Sequence, residues 1–138
     1  MDMGFNPVLV VTLLTWIITE LTKSLVAVAQ RKPRRLFDTG GMPSGHASIT
    51  AALATSVGLQ EGTDSAVFAV AVVLFIVVVH DAVRVRWSVG EQAVRLNQLA
   101  KRAKLPTVAV FRGHRIREIA VGAAYGGLLA WGLTELLQ

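Results

Sequence analysis

The stretch GGMPSGHAS, residues 40–48, decides how the rest of the chain is interpreted. Its glycines and its proline form a turn that a helix does not accommodate. From Ser44 onward the sequence becomes helical, through an alanine-rich run that reaches Gly58. The free N–H groups and positive dipole end of a new helix favour an anion such as phosphate. A plain loop with Ser44 as the N-cap explains the same residues equally well.

The composition indicates a membrane protein. Of the 138 residues, 53% are hydrophobic, yet Lys and Arg number 14 against 9 Asp and Glu. Apolar segments combined with clustered positive charge are typical of membrane helices joined by basic loops. A nucleic-acid-binding domain is also basic but does not need long uncharged segments, so we expect no nucleic-acid partner. The absence of cysteine excludes disulfides and thiolate metal sites.

Four apolar segments predict four membrane-spanning helices within a single domain, residues 1–138, because a span needs about 20 residues. The four segments are residues 5–29, 44–59, 65–83 and 119–137. Between the last two, the apolar residues of 84–112 fall on one helical face and the basic residues fall elsewhere, which predicts a basic amphipathic helix on an anionic membrane surface. The predicted fold class is therefore an all-α membrane bundle of about four transmembrane helices plus one amphipathic interfacial helix.

A polar stripe follows one face of the first helix. Its members recur at steps of three and four residues and are Thr12, Thr15, Thr19, Thr22 and Lys23. In a membrane such a stripe faces the interior of the bundle. Lys23 either belongs to that interior or extends its amine to the lipid headgroups.

Another helical face carries His114 and Glu118, which are four residues apart. Gly122 and Gly126 continue this face, and Gly-x-x-x-Gly spacing allows another helix to approach closely. We therefore expect Glu118 to point into the bundle. The same glycine face favours a homodimer.

If all four helices span, the topology gathers polar residues from separate parts of the chain at one membrane face. They are Lys23, Arg34, Ser44, His46, Asp81, Arg86, His114 and Glu118. The basic loops lie on this side, and the positive-inside rule places it in the cytoplasm. Asp81 is either a catalytic acid or a structural partner for Arg84 or Arg86. The second interpretation is favoured because ion pairs near helix ends are common.

Two histidines beside a carboxylate, a lysine and arginines indicate phosphoryl transfer. A neutral imidazole attacks phosphorus while a carboxylate holds its other N–H group. A second histidine protonates the leaving oxygen, and cations and backbone N–H groups stabilise the phosphoryl oxygens. This chemistry requires no metal. A zinc site is disfavoured because His114 and Glu118 do not follow a zinc-protease pattern and the surroundings are basic.

The motif Pro43-Ser44-Gly45-His46 resembles the central motif of the type 2 phosphatidic acid phosphatase and vanadium haloperoxidase superfamily. The chain is similar to the small divergent branch of that superfamily over nearly its whole length. The further stretches that carry the resemblance are Gly40 to Ser44, His80 to Arg86, Gly90 with Gln92-Ala93, Leu96-Asn97, and Gly113-His114 leading to Glu118.

The resemblance implies a role for each matching residue. His114 is the nucleophile that forms a phosphohistidine, Glu118 orients it where the wider family has Asp, and His46 is the general acid. The phosphate-binding residues are Lys23, Arg34, Ser44, Gly45, Arg86 and Arg112. The three arginines of this set are substitutes, because the arginines of the family pattern are missing at their usual spacings. Arg34, in preference to Arg31, replaces one of them, and Arg86 or Arg112 replaces the other.

These features predict a metal-independent membrane phosphatase without a cofactor, acting on a phospholipid phosphate or a prenyl phosphate or diphosphate. The alternative is a non-catalytic membrane protein that binds anionic lipid or assembles with partners, and the missing family arginines favour it. Vanadate-dependent oxidation is a third hypothesis. It is disfavoured because such a site needs access to soluble peroxide, and only the family analogy supports it.

Overall fold

The computed structural model describes residues 5–30, 42–110 and 113–137. Within these ranges every regular element is helical, which confirms the predicted all-α class. The α-helices are α1 (Pro7–Ala29), α2 (Gly45–Glu61), α3 (Ala66–His80), α4 (Arg86–Arg102) and α5 (Ile116–Leu137). A single π-helical turn, Asp81–Val85, joins α3 to α4 without a loop.

Polar side chains fix where the first three helices begin. The Asn6 side chain accepts a hydrogen bond from the Leu9 N–H group, and Ser65 accepts one from Phe68, both at 3.1 Å. Ser44 caps α2 in the same way, because its hydroxyl accepts the Ala47 N–H group at 3.5 Å. Each cap satisfies a donor that the first turn of a helix leaves free.

Among the described residues, three helical segments are long and apolar enough to cross a membrane: α1, the continuous run Ala66–Arg102, and α5. α2 has 17 residues, fewer than the about 20 that a span needs. It nevertheless lies at the centre of the fold, packed against α1, α3 and α5. Large apolar side chains such as Val70 and Leu128, each 68% exposed, cover the outside. The chain is a helical membrane bundle built around a short central helix.

Two glycines of α5 allow it to lie directly against α2. A Cβ atom on Gly122 would stand 2.5 Å from the carbonyl oxygen of Ser44, and one on Gly126 would overlap the backbone of Ser48. The predicted close helix approach is thus observed, and the approaching helix is α2 of the same chain. Because α2 covers this face, the face no longer supports the homodimer that the sequence favoured.

The polar stripe of α1 faces the bundle interior, as predicted. Thr15 and Thr19 are fully buried. The hydroxyl groups of Thr19 and Ser48 lie 2.7 Å apart, and those of Thr22 and Tyr125 lie 2.8 Å apart. These hydrogen bonds join α1 to α2 and α5, which is a common use of hydroxyl side chains between membrane helices.

The boundary between the third helix and the amphipathic helix differs from the prediction. The sequence predicted a spanning helix that stops at Val83, but the helical backbone continues through the π-helical turn into α4. A π-helical turn contains one more residue than an α-helical turn, so it rotates the residues that follow. Along α4, the apolar residues Val89 and Leu96 are 54% and 52% exposed. Few other protein residues pack against these two side chains, so they remain available to contact lipid, as in a helix that lies on a membrane surface.

Candidate active site

The two histidines predicted to act together lie side by side. His46 is in the first turn of α2, and His114 lies two residues before the start of α5. The centroids of their rings are 6.1 Å apart, with the ring planes inclined by 60°. They meet because α5 packs along α2 and places the start of α5 beside the start of α2.

His114 is held by two hydrogen-bonding groups. Its backbone N–H group donates to the carbonyl oxygen of Ala82 in the π-helical turn, at 3.2 Å. Its Nδ1 atom lies 3.0 Å from Oε2 of Glu118, and that carboxylate also accepts the Arg115 N–H group at 3.2 Å. Gly113 permits this position, since a Cβ atom there would stand 2.9 Å from both the Ala82 carbonyl oxygen and the Trp87 backbone nitrogen.

These contacts determine the state of the His114 ring. A carboxylate only accepts hydrogen bonds, so Nδ1 carries a proton, and in the neutral imidazole Nε2 keeps its lone pair. The side chain is 2% exposed, and Nε2 is buried with no hydrogen-bond partner in the part of the chain that the structure describes. An oriented imidazole with a free lone pair is the form that a nucleophile requires.

Arg86 engages the second histidine. Its Nη2 atom donates to Nε2 of His46 across 3.1 Å, and because a guanidinium only donates, the His46 ring is neutral. His46 lies in α2, outside the three segments long enough to span. Burial, and next the charge of Arg86, lower the pKa of His46 below its ordinary value.

Ser44 and Gly45 form the junction between the helices at the site. Ser44 is fully buried, its N–H group donates to the carbonyl oxygen of Glu118 at 3.2 Å, and its hydroxyl caps α2. Glu118 therefore orients His114 with its side chain and holds α2 with its backbone. At Gly45, a Cβ atom would overlap the carboxylate of Glu20, so a larger residue there would displace the Glu20 side chain.

Glu20 is a residue of the site that the sequence reasoning did not assign. Its carboxylate lies against the start of α2 and pairs with Lys23, Oε2 to Nζ, at 3.4 Å. The side chain of Lys23 is 14% exposed, so its amine lies in the interior and does not extend to the headgroups. An ionisable residue inside an apolar helix is itself a signal of function, and Glu20 carried that signal.

Three of the predicted residues remain, and the structure describes one of them. Arg34 and Arg112 lie outside the described residues. Asp81 is exposed and forms no ion pair with any described residue, so the expected pairing with Arg84 or Arg86 is absent. No group of three or more His, Asp or Glu residues suited to a metal ion occurs within residues 5–30, 42–110 and 113–137.

A cavity of about 650 Å³ opens beside His114. The π-helical turn and α4 contribute Arg84 and Trp87 to its wall. The segment that leads into α5 contributes Arg115 and Arg117. His114 thus lines this space together with three arginines, none of which the sequence reasoning had assigned to the site.

The chain resembles known proteins over most of its length. A family model described as "Divergent PAP2 family" matches residues 5–129, a range that includes every predicted site residue. A curated relative from Bacillus subtilis, printed as "Uncharacterized membrane protein YuiD", is 34% identical over 108 residues. The aligned region covers 66% of this chain and 68% of that protein. No solved structure matches the chain.

Proposed function

Because this chain belongs to the divergent PAP2 family, we propose that it is a membrane phosphatase that hydrolyses a lipid phosphate through a phosphohistidine intermediate. One observation carries the proposal: the buried Nε2 atom of His114 has no partner among the described residues, while Nδ1 is held by Glu118 and the His46 ring lies next to it. A histidine with only a packing role does not need a carboxylate on one ring nitrogen and a vacant lone pair on the other.

In the first step, Nε2 of His114 attacks the phosphorus atom of the lipid phosphate. An N–P bond forms and the bond between phosphorus and the lipid oxygen breaks. Glu118 stabilises the positive charge that develops on the imidazole, since its carboxylate lies 3.0 Å from Nδ1. The leaving alkoxide takes a proton from His46.

His46 must be protonated to supply that proton, yet it is neutral in the empty site because Nε2 accepts from Arg86. A bound phosphate competes with His46 for the guanidinium, because a charge-assisted bond to phosphate is the stronger one. Once Arg86 turns to the phosphate, Nε2 of His46 is free to bind a proton, and the nearby anion favours its charged form. Substrate binding thus prepares the acid.

In the second step, His46 acts as the base and takes a proton from water. The resulting hydroxide attacks phosphorus, the N–P bond breaks, and its electron pair returns to Nε2 of His114. Inorganic phosphate leaves, Arg86 returns to Nε2 of His46, and His46 releases the proton it took from water, so that both histidines are again in the states of the empty site. The residues that contact the phosphoryl oxygens are Lys23, Arg86 and the backbone at Gly45, with Arg34 and Arg112 as further candidates.

A lipid is the substrate class that suits this setting, namely a phospholipid phosphate or a prenyl phosphate or diphosphate. The histidines lie at the ends of α2 and α5, in a bundle with a hydrocarbon-facing exterior. The exposed apolar residues and basic residues of α4 suit a helix at the headgroup level. The three apolar helical segments make the chain a multi-pass membrane protein. By the positive-inside rule, the site then lies at the cytoplasmic face.

The test is phosphate release from lipid phosphates in detergent, with a chelator present. His114→Ala and His46→Ala should abolish turnover and keep the thermal unfolding midpoint near that of the unaltered protein. His80→Ala is the matched control, because His80 is exposed at the end of α3, outside the site. Acid-labile, base-stable phosphate should be trapped on His114. Full turnover by His114→Ala would refute the proposed mechanism.

The competing proposal is a non-catalytic membrane protein that binds anionic lipid. One observation favours it: Lys23 is paired with Glu20 and Arg86 with His46, so both described side-chain cations of the expected phosphate site already have partners. This alternative predicts lipid binding that persists in both histidine variants, and no turnover by the unaltered protein.

A further inference from the structure

We propose that the bundle encloses a water molecule, bound between α1, α2 and α5 by the hydroxyl groups of Thr12, Thr15 and Ser56. We call these three residues the hydroxyl layer. Ser56 lies ten residues beyond His46 along α2, which is about 15 Å at about 1.5 Å per residue. This water site therefore lies outside the proposed catalytic machinery and does not depend on phosphatase activity.

The three hydroxyl groups of the layer are buried and unpartnered. Thr15 and Ser56 are fully buried, and Thr12 is 6% exposed. None of their hydroxyl oxygens has a hydrogen-bond partner within the part of the chain that the structure describes. The hydroxyl of Thr19, on the same face of α1, is by contrast paired with that of Ser48 at 2.7 Å. Buried polar groups nearly always have a partner, so the three oxygens indicate a bound molecule that forms hydrogen bonds.

The packing of α5 against α2 brings a fourth hydroxyl to the layer. The two helices run in the same direction, because the close contacts of the α5 glycines advance together along both. Ala52 and Ala130 then share one buried cluster. One turn farther along both helices, Thr134 comes beside Ser56. The Thr134 hydroxyl donates to the carbonyl oxygen of Ala130 at 2.8 Å, and its oxygen can still accept a hydrogen bond.

The first helix runs in the opposite direction and brings its hydroxyls to the same level. Along α2, the contact with Thr19 is followed by the buried cluster that includes Val11. Thr12 and Thr15 lie between these two positions on the same face of α1, at helical spacing. They therefore face the part of α2 that leads to Ser56.

Water is the ligand that suits this layer. A buried water molecule makes about three hydrogen bonds, which matches the three unpartnered hydroxyls. It both donates and accepts, as hydroxyl groups do. The layer contains no charged side chain, so an ion would be buried there without a counter-charge. The hydrocarbon around the bundle offers no hydrogen bonds, so these hydroxyls need an internal partner. The neighbouring side chains of Ala52 and Ala130 are small, as space for a water molecule requires.

Cross-relaxation between water and protein protons in NMR spectra tests for the bound molecule directly. The protein carries isotope-labelled threonine methyl groups and is dissolved in perdeuterated detergent. Bound water should give cross-peaks at the methyl groups of Thr12 and Thr15. Thr19 is the matched control, because its buried hydroxyl is already paired with Ser48, and it should give none. Ser56→Ala should at least halve the cross-peaks at Thr12 and Thr15, which a signal from each threonine's own hydroxyl would not show.

A water bridge should also couple the stabilities of residues on different helices. Thr12→Val and Ser56→Ala each remove one ligand of the water. The unfolding midpoint of the double variant should therefore fall by less than the sum of the single falls, by at least about 3 °C. Ser24→Ala with Thr50→Val is the matched pair on α1 and α2, because both hydroxyls donate to carbonyl oxygens of their own helices. These two effects should add to within about 2 °C.

The water site is refuted if Thr12 and Thr15 show no cross-peaks, or if Ser56→Ala lowers those cross-peaks by less than half. Additive effects of Thr12→Val and Ser56→Ala also overturn it. Coupling without cross-peaks means that the hydroxyls bond directly to one another, which again excludes the water. Neither measurement involves turnover, so both results are independent of whether the protein hydrolyses a lipid phosphate.

Discussion

Arg86 donates a hydrogen bond from Nη2 to Nε2 of His46 across 3.1 Å. In the proposed mechanism the same nitrogen has to carry a proton before His46 can act as an acid. The empty site therefore keeps its proposed proton donor in the neutral form. A guanidinium that contacts both the acid and the substrate couples anion binding to proton uptake. This relationship makes the pH dependence of the reaction a direct test of the mechanism.

The pH profile of kcat/KM should reflect the lowered pKa of His46. A lowered pKa means that the protonated acid disappears as the pH rises through a value below 6.5, so kcat/KM should fall on the alkaline side in mildly acidic solution. Burial is the larger cause of the lowered pKa and Arg86 is the second. Arg86→Gln should therefore move the alkaline fall of kcat/KM part of the way toward higher pH. If kcat/KM falls at the same pH in this variant as in the unaltered protein, another group supplies the proton.

Glu118→Gln should reduce turnover by about 10²–10⁴-fold, because the carboxylate fixes the tautomer of His114 and stabilises its charge. The effect should appear in kcat and in the rate of phosphohistidine formation, with substrate binding nearly unchanged. Glu91→Gln, on α4, is the matched control. Comparable losses in both variants would show that the effect is not specific to the His114 contact.

Replacing Glu20 by Gln should tighten the binding of inorganic phosphate or vanadate. The carboxylate lies against the start of α2 and neutralises Lys23, so it opposes an incoming anion. Because Glu20 is 40% exposed, solvent weakens the effect, and we expect the inhibition constant to fall by about threefold. Glu61→Gln, at the far end of α2, should leave it unchanged. A weaker inhibition after Glu20→Gln would indicate that Glu20 helps to build the anion site.

Gly126→Ala should destabilise the bundle by about 1–3 kcal/mol, since a Cβ atom there overlaps the Ser48 backbone and forces α2 and α5 apart. Thermal unfolding in detergent measures the change. Gly132→Ala is the matched control on the same helix, because nothing lies within 4 Å of its Cβ position. If both substitutions change the stability of the bundle equally, the close packing at Gly126 does not contribute to that stability.

Local spacing was sufficient to predict part of the site. The four-residue separation of His114 and Glu118 predicted a shared face, and their side chains are in contact at 3.0 Å. The threonine stripe and the glycine face were also recognisable, because they follow the helical period and the residues they meet are on neighbouring helices. In these cases the periodicity alone carried the information.

Contacts that depend on tertiary structure were not predictable. Arg86 reaches His46 from beyond a π-helical turn, and an extra residue in a turn changes the direction of every side chain that follows. The placement of Glu20 against Gly45 depends on how α1 crosses α2, which no local pattern encodes. For the same reason the sequence did not distinguish the arginines that line the cavity, Arg84, Arg115 and Arg117, from other basic residues of a membrane protein.

The packing of α5 along α2 also has a consequence for biosynthesis. The signature motif and the proposed proton donor are made early, whereas the proposed nucleophile arrives only with the last helix, which fits beside α2 through Gly122 and Gly126. A nascent chain released before α5 therefore holds the recognisable sequence without any means of forming the phosphorylated intermediate. Packing of α5 along α2 is the step that brings His114 beside His46.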